Sequence, residues 1–156
     1  MDVAYAQPEP ALRIPESERK DRVWGNVDVC VVDDRVRLVR GVLFVPVKEG
    51  GRFGWGIWAA IATDPFNFYL QHLRDDLSSE PPFEGYAANE VGLPEYADLE
   101  GHPLQVQLPT ADKRPTFRLR QSEHLLSIEQ QRGIDMKRVH EINRRLFPHL
   151  FEEDRG

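Results

Sequence analysis

Apolar and polar positions alternate in some stretches of the chain and recur at helical spacing in others. In 27–32 (VDVCVV) the valines at 27, 29 and 31 fall on one side, as in a strand. Asp33 and Asp34 punctuate that run as a turn. The β-branched run 36–47 predicts a long second strand, with Gly41 as a bulge and Pro46 near its end. The loop 48–51 holds adjacent glycines, which accept positive φ cheaply, and closes a hairpin. In the third strand, 52–62, Phe53, Trp55, Ile57, Ala59 and Ile61 form one apolar face. The opposite face is small except for Trp58, so a segment should pack closely on it and the strand should be central.

Asp64-Pro65 reads as a helix start with Asp64 as the cap. Phe66, Tyr69, Leu70, Leu73 and Leu77 continue it to the break at 78–82. Residues 81–103 are proline- and glycine-rich and read as the longest irregular stretch. The segments 104–108 and 116–120 then alternate as a half-exposed antiparallel pair with a polar outer face, joined by a solvated loop at 109–115. Ser127 with Gln130 resembles a capping box, and Gly133 a helix stop. Asp135 caps a last helix in which Met136, Val139, Ile142, Leu146 and Phe147 face the core. Lys137, Arg138, Glu141, Arg144 and Arg145 of that helix should face water, and Pro148 ends it. Strands and helices are segregated, which predicts an α+β fold: a mostly antiparallel sheet of about five strands with two main helices on one face.

Length and charge sharpen that picture. A chain of 156 residues suits a single domain, 1–156. Residues 1–22 read as an N-terminal arm, extended and then turning helical near Pro15, anchored by a buried Trp24. Residues 148–156 read as a tail that frays. One cysteine excludes an internal disulfide framework and a four-cysteine zinc site. No apolar run has membrane-spanning length and the N-terminus lacks the features of a signal peptide, so a cytoplasmic protein with no membrane partner is expected. The net charge of −6 argues against nucleic acid as a partner. That charge is uneven: residues 61–111 carry nine acids and one base, whereas 1–60 is neutral and 112–156 slightly basic. Glu84, Glu95, Asp98 and Glu100 therefore form a candidate acidic docking surface for a protein partner.

Motifs of catalysis are absent: there is no GxSxG, no phosphate-binding GxxxxGK[ST] and no HExxH. Cys30 sits mid-strand, where a structural thiol is expected. His72, His102, His124, His140 and His149 do not pair at metal spacing, so neither metal nor cofactor is expected. His124 either fixes the turn before Ser127 through backbone hydrogen bonds or serves as a general base with Glu90 or Glu129. Asn89 either binds a polar ligand or bonds the loop backbone. Trp55 and Trp58 are either plain core or the lining of a pocket.

Several stretches in order carry a family resemblance. They are Arg40-Gly41-Val42-Leu43 with Val45-Pro46-Val47, Phe53-Gly54-Trp55-Gly56-Ile57-Trp58, Pro81-Pro82-Phe83-Glu84-Gly85-Tyr86 with Asn89-Glu90, and Glu129-Gln130-Gln131-Arg132-Gly133-Ile134. Together they resemble a bacterial family known as domain of unknown function 2199, over about residues 2–147. Many of its members open with a CxxC segment that this chain lacks. The resemblance implies no activity. The favoured expectation is a bacterial binding protein, in its most concrete form an immunity- or antitoxin-like partner, docking through the acidic segment or the polar hairpin face; self-association stays open. The alternative is a small-molecule-binding protein or hydrolase-type enzyme in which Glu90, His124 and Glu129 converge.

Overall fold

A computed structural model describes residues 2–150, in which five α-helices and eight β-strands are formed. In chain order they are β1 (Val3–Ala4), α1 (Glu9–Leu12), α2 (Arg19–Arg22), β2 (Val23–Gly25), β3 (Val29–Val32), β4 (Val36–Pro46) and β5 (Arg52–Ile61). There follow α3 (Thr63–Gln71), β6 (Phe83–Ala87), β7 (Pro103–Gln107), β8 (Thr116–Leu119), α4 (Leu125–Arg132) and α5 (Met136–Leu146).

The long β4–β5 hairpin organises the rest. Its register runs without a break from Arg37 opposite Ile61 to Pro46 opposite Arg52. Strands β5, β6, β7 and β8 then pair in antiparallel succession. β8 meets β4 in parallel, Val42 opposite Thr116 and Leu43 opposite Phe117. A meander with an odd number of strands must close on a parallel pair, and these five strands close a barrel. The open sheet of about five strands predicted from the pattern is thus corrected: the sheet is closed, β2 and β3 continue it beyond β4, and β1 adds to β5 in parallel. The expected alternation failed to show closure because a barrel strand and an open-sheet strand share the same period of two.

Closure explains Gly41. The unbroken β4–β5 register contains no bulge there. A Cβ on Gly41 would lie 2.5 Å from the Phe117 ring and 2.6 Å from the Pro115 carbonyl, so the residue permits β8 to seat against β4. Only two residue pairs join these strands, and Gln130 reinforces the seam. Its Oε1 accepts from the Leu119 amide at 2.8 Å, while its Nε2 donates to the Phe117 and Phe44 carbonyls. The barrel interior holds Leu43, Val45, Trp55, Ile57, Val106 and Phe117. A second core, built on Cys30, Leu38 and Trp58, lies beneath Ala11 and Ile14 of the N-terminal arm. The close packing expected on the small face of β5 is supplied by that arm: a Cβ on Gly56 would meet the Ala4 side chain at 2.9 Å.

Several local expectations are corrected. Trp24 does not anchor the arm; it lies on β2 and is 59% exposed, while Ala11 and Ile14 do the anchoring. α3 starts at Thr63 and stops at Gln71, so Asp64 falls in its first turn rather than at its cap. The chain then turns, and Leu77 is held by its own amide donating to the Pro109 carbonyl at 2.9 Å. The irregular stretch 81–103 contains β6, whose apolar and small residues complete the barrel. Ser127 does not cap α4. The chain enters that helix two residues earlier, and His124 caps it through Nδ1, which accepts from the Leu126 amide at 3.1 Å. Ser127 is buried and donates to the Arg120 carbonyl. Asp135 caps α5 as expected, its Oδ1 accepting from the Arg138 amide at 2.8 Å. Pro148–Leu150 forms a short 3-10 turn, and the rest of the tail, 151–156, lies outside the described residues.

Candidate functional site

The residues singled out in the sequence mostly converge on one segment, the chain from 88 to 102. Val91, Leu93, Tyr96 and Leu99 of this segment belong to the main core, and Tyr96 meets Trp55 edge-to-face at 5.6 Å. Trp55 and Trp58 are fully buried core residues. Asn89 is 0% exposed and satisfied at both ends: Oδ1 accepts from the Trp58 amide at 2.8 Å, and Nδ2 donates to the Gln7 carbonyl at 2.9 Å. Glu90 accepts from the amides of Leu99 and Glu100 at 3.1 and 2.7 Å. His124 points Nε2 at the carbonyls of Tyr96 and Ala97 while its other nitrogen caps α4. Glu129 accepts from the Tyr96 hydroxyl. Each of these polar groups fixes backbone or side chain of 88–102, and no hydrogen bond or ion pair joins Glu90, His124 and Glu129 to one another among the described residues.

Around Tyr96 the acids are already matched by arginines. Arg138 donates from Nε to Glu129 at 3.2 Å, from Nη1 to Glu95 at 3.2 Å and from Nη2 to the Tyr96 hydroxyl at 2.7 Å. It therefore faces the core side of α5, not water, and only 15% of its side chain is exposed. Burial, reinforced by Glu129, raises the Tyr96 hydroxyl pKa, so it stays protonated and donates. Arg145 forks onto Glu95, and its hydrogen bond, aided by Arg138, lowers the Glu95 carboxyl to a pKa of about 2. Glu100 pairs with Arg13 and Glu84 with Arg120. Of the four acids proposed as a docking surface, Asp98 alone has no side-chain partner among the described residues; it is exposed with φ of 65°. Three of the four acids of that candidate surface, Glu84, Glu95 and Glu100, are thus met by arginines from either side of 61–111 in sequence, which a tally along the chain cannot reveal.

A different face is open. Two depressions lie side by side on the outside of the barrel, with volumes of about 410 and 470 Å³. They share Gln105 of β7 and Arg118 of β8. Phe44, Arg52, Gln107 and Thr116 bound the first, and Glu84 with Arg120 bounds the second. Arg52 lies 3.6 Å above the Phe44 ring, and neither Arg52 nor Arg118 meets a carboxylate among the described residues. Here the sequence was legible in part: alternation in 104–108 and 116–120 places Gln105, Gln107, Thr116 and Arg118 outward. What it lacked was Arg52 and Phe44, carried to the same face by barrel closure.

Cys30 is buried, and burial raises its thiol pKa, which keeps it an unreactive thiol. Among the described residues no cluster of histidine, cysteine or carboxylate side chains is arranged to hold a metal ion, and no helix is long and apolar enough to cross a membrane. A family model described as an uncharacterised protein conserved in bacteria (DUF2199) matches residues 1–134. No curated protein and no solved structure matches the chain.

Proposed function

The chain belongs to the DUF2199 family of uncharacterised bacterial proteins, and from that premise we propose that it is a cytoplasmic binding protein that docks an acidic protein partner on the outer face of β7 and β8. One observation carries this reading: the two depressions adjoin at Gln105 and Arg118 and hold two arginines, Arg52 and Arg118, that meet no carboxylate among the described residues. Free guanidinium groups beside the Gln105 amide and a threonine hydroxyl suit carboxylates on an extended segment, because arginine presents paired donors to a carboxylate. The acidic segment is the weaker candidate surface. A basic partner there would have to displace Arg13, Arg120 or Arg145 from pairs already made, gaining little net.

The test is affinity capture from a native bacterial lysate, with the bound protein identified by mass spectrometry. The double variant Arg52→Glu/Arg118→Glu is expected to lose the partner, and Glu95→Gln/Asp98→Asn/Glu100→Gln is expected to keep it. Retention by the first variant and loss by the second would move docking to the acidic segment. Recovery of nothing above a control by the wild type would end the binding-protein reading.

A further inference from the structure

A third cavity, of about 890 Å³, continues this groove between α3, β4 and the 109–115 loop and shares Phe44, Arg52, Gln107 and Thr116 with it. Its size falls within the range of small-molecule sites, roughly 300–1,000 Å³. Val42, Phe44 and Leu108 give it an apolar wall, while its charged lining is Arg52, Lys113 and Arg114 against Asp28 and Asp112. Two polar groups that line it, and a third on the neighbouring strand, are incompletely used. Tyr69 lines the cavity and is only 5% exposed, yet its hydroxyl has no hydrogen-bond partner among the described residues. Arg114 spends Nε on Asp28 at 3.0 Å, and no partner takes its other donors among the described residues. Arg40 stands on the same face of β4 as Val42 and Phe44, by the alternation of a strand. Its Nε is buried with no partner among the described residues, and only Nη1 makes a bond, at 3.3 Å to the Val27 carbonyl.

These groups share one electrostatic neighbourhood. Burial raises the Tyr69 hydroxyl pKa, with Asp28 adding to the rise and Arg114 opposing it. Burial lowers the Arg40 pKa, and Arg114 lowers it further against the pull of Asp28. Arg40 and Arg114 both draw on the carboxylate of Asp28, and the Arg40 Nε is a buried donor without an acceptor among the described residues. A bound anion would offset this charge while accepting from the open donors of Arg114 and Tyr69.

We propose that this cavity is a binding site for a small organic anion, a carboxylate or phosphate on an apolar body, in which the Arg114 guanidinium and the Tyr69 hydroxyl donate to the anion. Arg40 supplies the unneutralised charge behind them, and Phe44, Val42 and Leu108 receive the apolar part. Asp28 orients Arg114 and is itself placed by Asn26, whose Oδ1 accepts from the Asp28 amide at 2.8 Å. The site needs no protein partner, so it goes beyond the docking function.

The test is a titration of the isolated, isotope-labelled chain followed by NMR at arginine Nε–H and backbone amide signals. The probes are phenyl phosphate, benzoate, inorganic phosphate and uncharged benzyl alcohol. Phenyl phosphate or benzoate should shift Arg40, Arg114 and the amides of 108–116 saturably, and the tighter of the two identifies the head group. Benzyl alcohol should bind roughly tenfold more weakly or worse. Arg114→Gln and Tyr69→Phe should each weaken the better probe by roughly tenfold, and Tyr69→Phe, which removes one oxygen, guards against misfolding of the charge variant. Arg120→Gln, outside the cavity, should change nothing. Absence of a saturable shift with all three anions would show a solvent-filled cleft and overturn the site. Binding to Tyr69→Phe and Arg114→Gln as tight as to the wild type would overturn it too. Inorganic phosphate binding as tightly as phenyl phosphate would overturn the apolar half. Because the partner is absent from this titration, its failure leaves the docking face standing, and loss of capture leaves the cavity standing.

Discussion

Asn89 and Trp24 show how poorly residue type alone predicts a residue's role. Asparagine in a loop suggests a solvated turn, yet Asn89 is buried and ties Trp58 of the barrel to Gln7 of the arm. Asn89→Ala leaves the buried Trp58 amide unpaired and should cost roughly 1–3 kcal/mol in urea unfolding. Trp24→Ala, at an exposed position, should stay within about 0.5 kcal/mol of wild type in the same measurement. Gly41 provides a third case. Gly41→Ala drives a methyl into the Phe117 ring and the Pro115 carbonyl, and should destabilise by about 1–3 kcal/mol. A bulge glycine would tolerate the change far better, so the same melt distinguishes a seam from a bulge.

At the scale of elements, the segment 88–102 and helix α5 hold one another. Arg138 bridges them through Glu95, Glu129 and Tyr96. Arg138→Ala strands Glu129 and the Tyr96 hydroxyl in a largely buried place and should cost about 3 kcal/mol or more. Arg145→Ala, at the exposed end of the same network, should cost less than about 1 kcal/mol. Acid probes this contact with a defined sign. The Glu95 carboxyl has its pKa lowered on folding, so its contribution is complete well above the ordinary carboxylate value and is lost as pH falls toward about 2. The stability difference between wild type and Glu95→Gln should therefore be constant from neutral pH to roughly pH 5 and shrink below roughly pH 4. Urea midpoints across that range check it, and a pH-independent difference would contradict the pairing. Helix α5 was legible in the sequence because its cap and apolar face are local. The partners of Arg138 were not, because Glu95 and Tyr96 lie some forty residues away and only folding brings them under the helix.

For the whole molecule, strand periodicity disclosed five of the eight strands but not their closure, because closure depends on one parallel seam made by two residue pairs and Gln130. The charge pattern suffers from the same blindness to distance. Three acids of a segment that sums to strong negative charge along the chain are met in space by Arg13, Arg120, Arg138 and Arg145, and two arginines without a carboxylate among the described residues, Arg52 and Arg118, share the groove. Docking on the cationic groove is therefore the central claim, and it is electrostatic enough that added salt should weaken the complex. The most direct measurement is an NMR perturbation map of the labelled chain with its captured partner. The expected result is shifts concentrated at Gln105, Gln107, Thr116 and Arg118, with 93–100 unchanged; shifts concentrated at 93–100 and absent from β7 and β8 would contradict it.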